Sequence, residues 1–238
     1  MVINPVQLLR LKTKNYQQFA AIEIVLIFFV LIMSDAASLF NQNAAQILIA
    51  TVLLILELVY LLLIFQLAKF LYPSSRFAIL LGIGISIVCI CTFIALNPFV
   101  VFFENTLPWL LAAHVILCSI ECFVIGLGLR DIYSSQLHIA ERLWGSVALY
   151  LLIALGWASF YEIVLLVEPA SFGTYLEPGY QSYAESLYFS LCAISGTGSV
   201  YTSPSHLIRN LALLEAVWGV LFLVMLIGRL FSLPSSDK

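Results

Sequence analysis

Charged side chains are scarce in this chain. Only 10% of its 238 residues are Asp, Glu, Lys or Arg, whereas 63% are apolar and the mean hydropathy is +1.07. A soluble domain carries about 25% charged residues, and a globule of this size could not hide so large an apolar excess from water. The scarcity of charge excludes a soluble enzyme and a disordered chain, and it indicates an integral membrane protein.

Positive charge and cysteines suited to disulfide bonds are also lacking. The net charge is −3, so no basic face is available for nucleic acid, and no nucleic-acid partner is expected. The cysteines all lie inside apolar runs rather than in loops, where an oxidising compartment would pair them. We interpret all five as small buried side chains, namely Cys89, Cys91, Cys118, Cys122 and Cys192.

Long apolar runs are abundant, and each run of about 20 residues is long enough to cross a bilayer as a helix. Short polar or proline-bearing segments separate the runs. The sequence therefore predicts an all-α membrane protein with six transmembrane helices, at Tyr16–Met33, Ala45–Leu71, Phe77–Leu96, Leu107–Leu129, Leu143–Val167 and Leu207–Leu233.

The distribution of Lys and Arg predicts the orientation of these helices, because positively charged loops stay on the cytoplasmic side. With six spans, one side of the membrane holds nine of the ten Lys and Arg residues, and the other side holds only Arg209. We therefore expect a multi-pass protein of the plasma (inner) membrane with both termini in the cytoplasm. The segment between the last two spans would then enter and leave from the outer face.

That segment, residues 168–206, is neither a span nor a simple loop. Turn-forming residues come first, and the stretch from Tyr180 to Ile194 is long enough for a half-helix but too short and too polar to cross the membrane. The Gly- and Ser-rich residues 195–204 cannot continue a helix, and extended backbone at membrane depth needs protein or water around it. The sequence thus predicts a re-entrant helix followed by extended backbone.

Two parts of the C-terminal region resemble a known family. Residues 185–190 (ESLYFS) read like a pore helix, and Pro204 with residues 213–221 (LLEAVWGVL) looks like the inner helix that follows it. In both respects the chain resembles the tetrameric potassium-channel superfamily. The resemblance covers residues 143–238 and implies an outer helix, a pore helix, a filter loop and an inner helix, assembled as a homotetramer in the lipid bilayer around a shared ion path.

The filter of this family, Thr-Val-Gly-Tyr-Gly followed by Asp, is only partly matched. Aligned without gaps, its positions fall on Gly196, Thr197, Gly198, Ser199 and Val200, followed by Tyr201. Only Gly198 agrees, and a β-branched residue replaces a glycine that usually takes a left-handed conformation. The resemblance implies a filter built from residues 195–200, including Ser195. The departures predict a wide, weakly selective filter for monovalent cations, K⁺ or Na⁺, with no other cofactor.

The resemblance also suggests residues that support the pore. Glu185 on the pore helix, Glu215 on the inner helix and Tyr201 after the filter are candidates. Glu215 either serves the pore, by accepting hydrogen bonds that brace the pore loop or by adding negative potential, or is a protonated group packed between subunits. Gly219, near the middle of the inner helix, is either a gating hinge or a close-packing position.

The first four helices lack the charge ladder of a voltage sensor. Leu107–Leu129 contains no basic residue, and only Arg130 stands at its end, so voltage sensing by a charged fourth helix is not expected. The predicted organisation is a four-helix membrane domain at residues 1–129, an interfacial linker helix at 130–142 and a pore domain at 143–238. Gating input would come through the membrane domain, the lipid or an unidentified regulatory partner.

One face of the predicted fourth helix carries potential metal ligands at positions i, i+4, i+7 and i+8. These are His114, Cys118, Glu121 and Cys122. A metal would need ligands from a second helix, which the sequence does not supply, so no metal site is predicted. The alternative is ordinary packing with a Glu–His pair.

These observations favour a cation channel over two other hypotheses. A non-conducting or regulatory protein would keep the fold without ion flow. A small transporter or membrane enzyme is less favoured, because there is no inverted repeat and no nucleophile–base pair, and enzymatic activity is not expected.

Overall fold

A computed structural model describes residues 5–39, 43–100, 102–133, 139–198 and 203–231. Every secondary-structure element in this part of the chain is an α-helix. The seven helices are α1 (Pro5–Leu39), α2 (Asn43–Leu71), α3 (Ser75–Leu96), α4 (Leu107–Ile132), α5 (Ile139–Val167), α6 (Tyr180–Ser195) and α7 (His206–Phe231).

Six of these helices confirm the predicted spans. All except α6 are long and apolar enough to cross a membrane, which makes the chain a multi-pass membrane protein. The 16 residues of α6 extend over about 24 Å, which is less than the hydrocarbon thickness of about 30 Å. The short helix lies between α5 and α7 in the chain, where the sequence predicts it.

Proline and glycine set several helix ends. Pro98 disfavours helical geometry in the residue before it, and Asn97 ends α3 with extended backbone angles of φ −64° and ψ 118°. Pro108 occupies the first turn of α4, where its missing N–H costs no hydrogen bond. Gly179 precedes α6 and Gly196 follows it.

Besides a smaller cluster around Tyr161, Phe172 and Phe189, the buried apolar residues form a main core to which all seven described helices contribute. Helix α5 lies at its centre: 56% of its most apolar window is buried within the chain, against 17% for α7. Much of α7 therefore presents large apolar side chains outward, including Leu213, Val217, Val220 and Val224. In a membrane, lipid or another protein chain must cover this surface.

The predicted linker helix at 130–142 is not a separate element in the described residues. Helix α4 continues to Ile132 and α5 begins at Ile139, while residues 134–138 lie outside the described part of the chain. Arg142 is buried within the chain, and Asp131 accepts a 2.6 Å hydrogen bond from the Tyr16 hydroxyl. Residues 130–142 contain no proline or glycine. Nothing in the sequence therefore prevents α4 and α5 from extending into the two ends of the predicted linker.

Candidate pore-loop site

Three serines follow one face of α6. Ser182, Ser186 and Ser190 are four residues apart, so they align along the helix, and all three are buried. We call this surface the serine face. A serine face inside an apolar core needs hydrogen-bond partners, since a buried hydroxyl without one is costly.

Glu162 of α5 binds the first half of the serine face. The Ser182 hydroxyl donates to Glu162 Oε1 at 2.6 Å, and the Ser186 hydroxyl donates to Oε2 at 3.0 Å. Ser182 also accepts the Gly179 backbone N–H at 3.0 Å, which caps the start of α6. Both oxygens of the Glu162 carboxyl are thereby used to hold α6 against α5.

Glu215 of α7 binds the second half. Its Oε1 lies 2.5 Å from the Ser190 hydroxyl, and its Oε2 accepts a 2.7 Å hydrogen bond from Tyr161 of α5. The Ser190 hydroxyl also lies 2.8 Å from the Ala154 carbonyl oxygen. Because a serine has one hydroxyl proton, a protonated Glu215 would satisfy both contacts by donating to Ser190 while Ser190 donates to Ala154. Glu215 thus joins three helices within one chain.

The carboxyl end of α6 is closed by glycine. Gly196 takes a left-handed conformation with φ 70°, its N–H donates to the Ala193 carbonyl, and the Thr197 N–H donates to the Cys192 carbonyl at 3.1 Å. This pair of hydrogen bonds is the Schellman motif, which satisfies the last carbonyls of a helix.

The prediction that residue 195 is non-helical is wrong by one residue. Ser195 is the last residue of α6, where its hydroxyl donates to the Leu191 carbonyl at 2.6 Å. Gly196 and Gly198 both have positive φ, and Gly196 lies in the turn that ends α6. The physical reason is that glycine after a helix favours a left-handed cap, which uses nearby carbonyls of the helix itself.

The described part of the predicted filter is exposed on the single chain. Ser195, Gly196, Thr197 and Gly198 are all accessible, and the Ser195 and Thr197 hydroxyl oxygens lie 3.1 Å apart. The predicted residues Ser199, Val200 and Tyr201 lie outside the described residues.

Two further candidates occupy different positions from Glu215. Glu185 is half-buried on α6 and directly precedes Ser186, so it points about 100° away from the serine face. Gly219 of α7 lies against the end of α6: a Cβ built on it would be 2.5 Å from the Ile194 carbonyl oxygen. That carbonyl also accepts a 3.2 Å hydrogen bond from the Tyr150 hydroxyl. Gly219 is thus a close-packing residue, whereas a hinge at this position stays a prediction.

The loops on the two sides of α6 are joined. The Ser205 N–H donates to the Ser171 carbonyl at 2.8 Å. Gly173, with φ 86°, lies so close to the second loop that a Cβ there would be 2.5 Å from the Ser203 carbonyl oxygen. The chain therefore leaves the end of α5 and returns to the start of α7 through two loops that contact each other.

Two of the potential metal ligands on α4, His114 and Glu121, contact tyrosines. No group of three or more His, Cys, Asp or Glu side chains suited to a metal occurs in the described part of the chain. Glu121 accepts a hydrogen bond from the Tyr60 hydroxyl, and the His114 ring stacks on Tyr183 at a centroid distance of 5.5 Å. These contacts differ from the Glu–His pair considered as the alternative.

Sequence reasoning named the three serines but not their common face. The signal was available, because their spacing of four places them on one side of a helix. Tyr161 and Gly173 were also missed as supporting residues. Their partners are distant in the sequence, and no local pattern identifies such contacts.

Comparisons of the chain with protein-family models, curated proteins and solved structures found no match. The interpretation of the site therefore depends on the geometry described above.

Proposed function

We propose that the chain is a homotetrameric channel for monovalent cations, with α5, α6 and α7 surrounding the ion path. The observation that carries this proposal is the placement of α6. A helix too short to span the membrane is fixed to two spanning helices by Glu162 and Glu215, while its carboxyl end, residues 195–198, stays exposed.

The carboxyl end of α6 has the right electrostatic character for a cation path. A helix carries a partial negative charge at its C-terminus, and four such ends around an axis would attract cations. The hydroxyls of Ser195 and Thr197 add oxygen ligands at this end. The joined loops support a re-entrant segment, because the chain departs and returns at the same place.

The proposed channel is weakly selective. Potassium-selective filters replace the hydration shell of the ion with rings of backbone carbonyls. Here only Gly198 of the family's filter pattern is kept, and Gly196 and Gly198 both have positive φ. We therefore expect partly hydrated K⁺ and Na⁺ to pass with similar ease.

The test is ion flux through purified protein in liposomes. Potassium and sodium gradients should each drive flux, with permeabilities that agree within about tenfold (about 1.4 kcal/mol). Tetramers that carry no current under any gradient would contradict the channel, and steep selectivity for K⁺ would contradict the weak filter.

Gly198→Ala is the discriminating variant, because Gly198 has φ 84° and a Cβ there strains the backbone. We expect it to reduce flux markedly. Its control is Gly126→Ala on α4, where a Cβ also meets open space but the backbone is helical. Flux unchanged by Gly198→Ala would place the ion path elsewhere.

A specific observation favours a second function. The Cys192, Ala193 and Ile194 carbonyls near the proposed filter already accept hydrogen bonds within the chain. A non-conducting, regulatory membrane protein would need no free carbonyls. Well-formed tetramers without current would support this alternative.

A further inference from the structure

A partly open cavity lies away from the proposed ion path, between α1–α5 and the first turns of α6. It measures about 80 Å³ and is bordered mainly by apolar side chains, including Leu26, Leu53 and Leu187. One water-sized sphere needs about 10–15 Å³, so the space holds roughly five to eight non-hydrogen atoms.

Three polar groups from separate helices line this cavity: the Glu57 carboxyl of α2, the His114 ring of α4 and the Tyr180 hydroxyl of α6. His114 Nδ1 and the Tyr180 hydroxyl oxygen are buried and have no hydrogen-bond partner in the described part of the chain. A buried polar atom without a partner is costly. Two such atoms beside one cavity point to a ligand that can hydrogen-bond.

Aromatic rings and the Glu57 carboxyl favour a cationic group on that ligand. The rings of Tyr60, Tyr180 and Tyr183 border the cavity, and tyrosine faces attract ammonium groups. Burial raises the pKa of the Tyr180 phenol, so the phenol stays neutral and adds no negative charge to the cavity. The carboxyl of Glu57 supplies the acceptor for an ammonium.

The N-terminus of α6 also lies at the cavity, and its dipole alone would disfavour a cation. The Ser182 hydroxyl in the first turn donates to the Glu162 carboxyl at 2.6 Å, so an acidic side chain already lies against this helix end. Glu57 therefore decides the sign of the charge that the cavity accepts.

We propose that the cavity binds a small amine with an apolar body. The apolar part contacts the leucines, the ammonium lies beside Glu57 and the tyrosine rings, and His114 and Tyr180 complete its hydrogen bonds. The neutral base form of such an amine dissolves in lipid, which gives it a route to a cavity within the membrane. Since α6 forms one wall, the bound amine would also favour the docked position of α6.

The test uses the full chain in nanodiscs and three probes of similar size: benzylamine, benzyl alcohol and toluene. We expect benzylamine to raise the thermal unfolding temperature in a saturable way, with an affinity at least about tenfold higher than that of either neutral probe. Equal binding of toluene or benzyl alcohol, or no saturable effect of benzylamine, would overturn the proposal.

Glu57→Gln tests the charge. We expect it to weaken benzylamine binding by about tenfold or more while leaving toluene binding unchanged. The matched control is Glu104→Gln, which removes an exposed carboxyl outside the cavity and should bind benzylamine like the wild type. If both variants weaken binding equally, the amine responds to surface charge and the proposal is wrong.

A second variant tests amine binding if Glu57→Gln does not fold. His114→Phe keeps an aromatic ring that can stack on Tyr183 but removes Nδ1. It should weaken benzylamine binding and strengthen or preserve toluene binding, and unchanged benzylamine affinity would overturn the proposal. These measurements need no ion flux, so their outcome is independent of whether the chain conducts.

Discussion

The two buried carboxyl groups beside α6, Glu162 and Glu215, and the buried Glu23 of α1 have opposite surroundings. Beside α6, both oxygens of Glu162 and of Glu215 have hydroxyl partners. In the front bundle, α1–α4, neither oxygen of Glu23 has a hydrogen-bond partner among the described residues, although the side chain is fully buried. The same residue type thus fixes a helix in one region and remains unsatisfied in the other.

This difference shows how a membrane protein can use an acidic residue. Placing a carboxyl in the hydrocarbon region costs free energy. Hydrogen bonds to several helices offset that cost and also fix the positions of those helices. Without such partners the cost is met by protonation or by a bound group. The α6 carboxyls are therefore structural, and we expect the front-bundle carboxyl to be replaceable.

Glu215→Ala should cause the largest loss of stability among the variants around α6. It leaves the Tyr161 and Ser190 hydroxyls without their carboxyl partner and opens a void between α5, α6 and α7. We expect a loss of about 3–5 kcal/mol in stability, measured by thermal or detergent-induced unfolding. A loss below 1 kcal/mol (about fivefold in the equilibrium constant) would show that the carboxyl does not hold these helices.

Gly219→Ala should come next, because its Cβ would collide with backbone rather than with a movable side chain. We expect a loss of about 1–3 kcal/mol and a shift of the end of α6. The control is Gly228→Ala, also on α7, where a Cβ meets nothing within 4 Å. Equal stability of the two variants would argue for a hinge at Gly219 rather than close packing.

Ser186→Ala removes one of the two hydroxyls that donate to Glu162, and Ser182 remains. The expected cost is about 1 kcal/mol, again from unfolding measurements. Ser86→Ala on α3 is the matched control, since that exposed hydroxyl only donates to the Gly82 carbonyl of its own helix. A larger effect at Ser86 than at Ser186 would contradict the role of the serine face.

Glu23→Gln should have the smallest effect, within about 0.5 kcal/mol, because the carboxyl contributes no hydrogen bond that the amide would lose. Comparison with Glu215→Gln in the same unfolding assay sharpens the contrast. If Glu23→Gln costs as much as Glu215→Gln, the front bundle contains a network that its geometry does not reveal.

The spans could be predicted because bilayer thickness turns hydropathy directly into helix length, and the six expected runs coincide with six described helices. Helix α6 was located nearly as well, since turn residues flank it on both sides. The sequence predicted its end at Ile194, one residue too early. A helix with a glycine cap extends to the residue before the glycine, which here is Ser195.

Side-chain pairing was harder to predict. A bracing role for Glu215 was one of two alternatives, and the structure supplies the donors that favour it. The Tyr60–Glu121 hydrogen bond joins residues 61 positions apart, and the Gly173–Ser203 contact depends on how two loops meet. Neither is encoded in local periodicity. The charge bias predicts orientation, and the resemblance predicts a tetrameric pore; both stay predictions.

The Glu215 carboxyl that contacts Ser190 and Tyr161, and the Ser205 N–H that donates to Ser171, both belong to residues made after α6. During synthesis, Glu162 is already present when α6 emerges, whereas Ser205 and Glu215 follow only later. The first half of α6 can therefore settle against α5 early, but the second half must wait for the last helix. A nascent chain that ends before Glu215 would leave the Tyr161 hydroxyl without its carboxyl partner, a state that quality-control proteases could recognise.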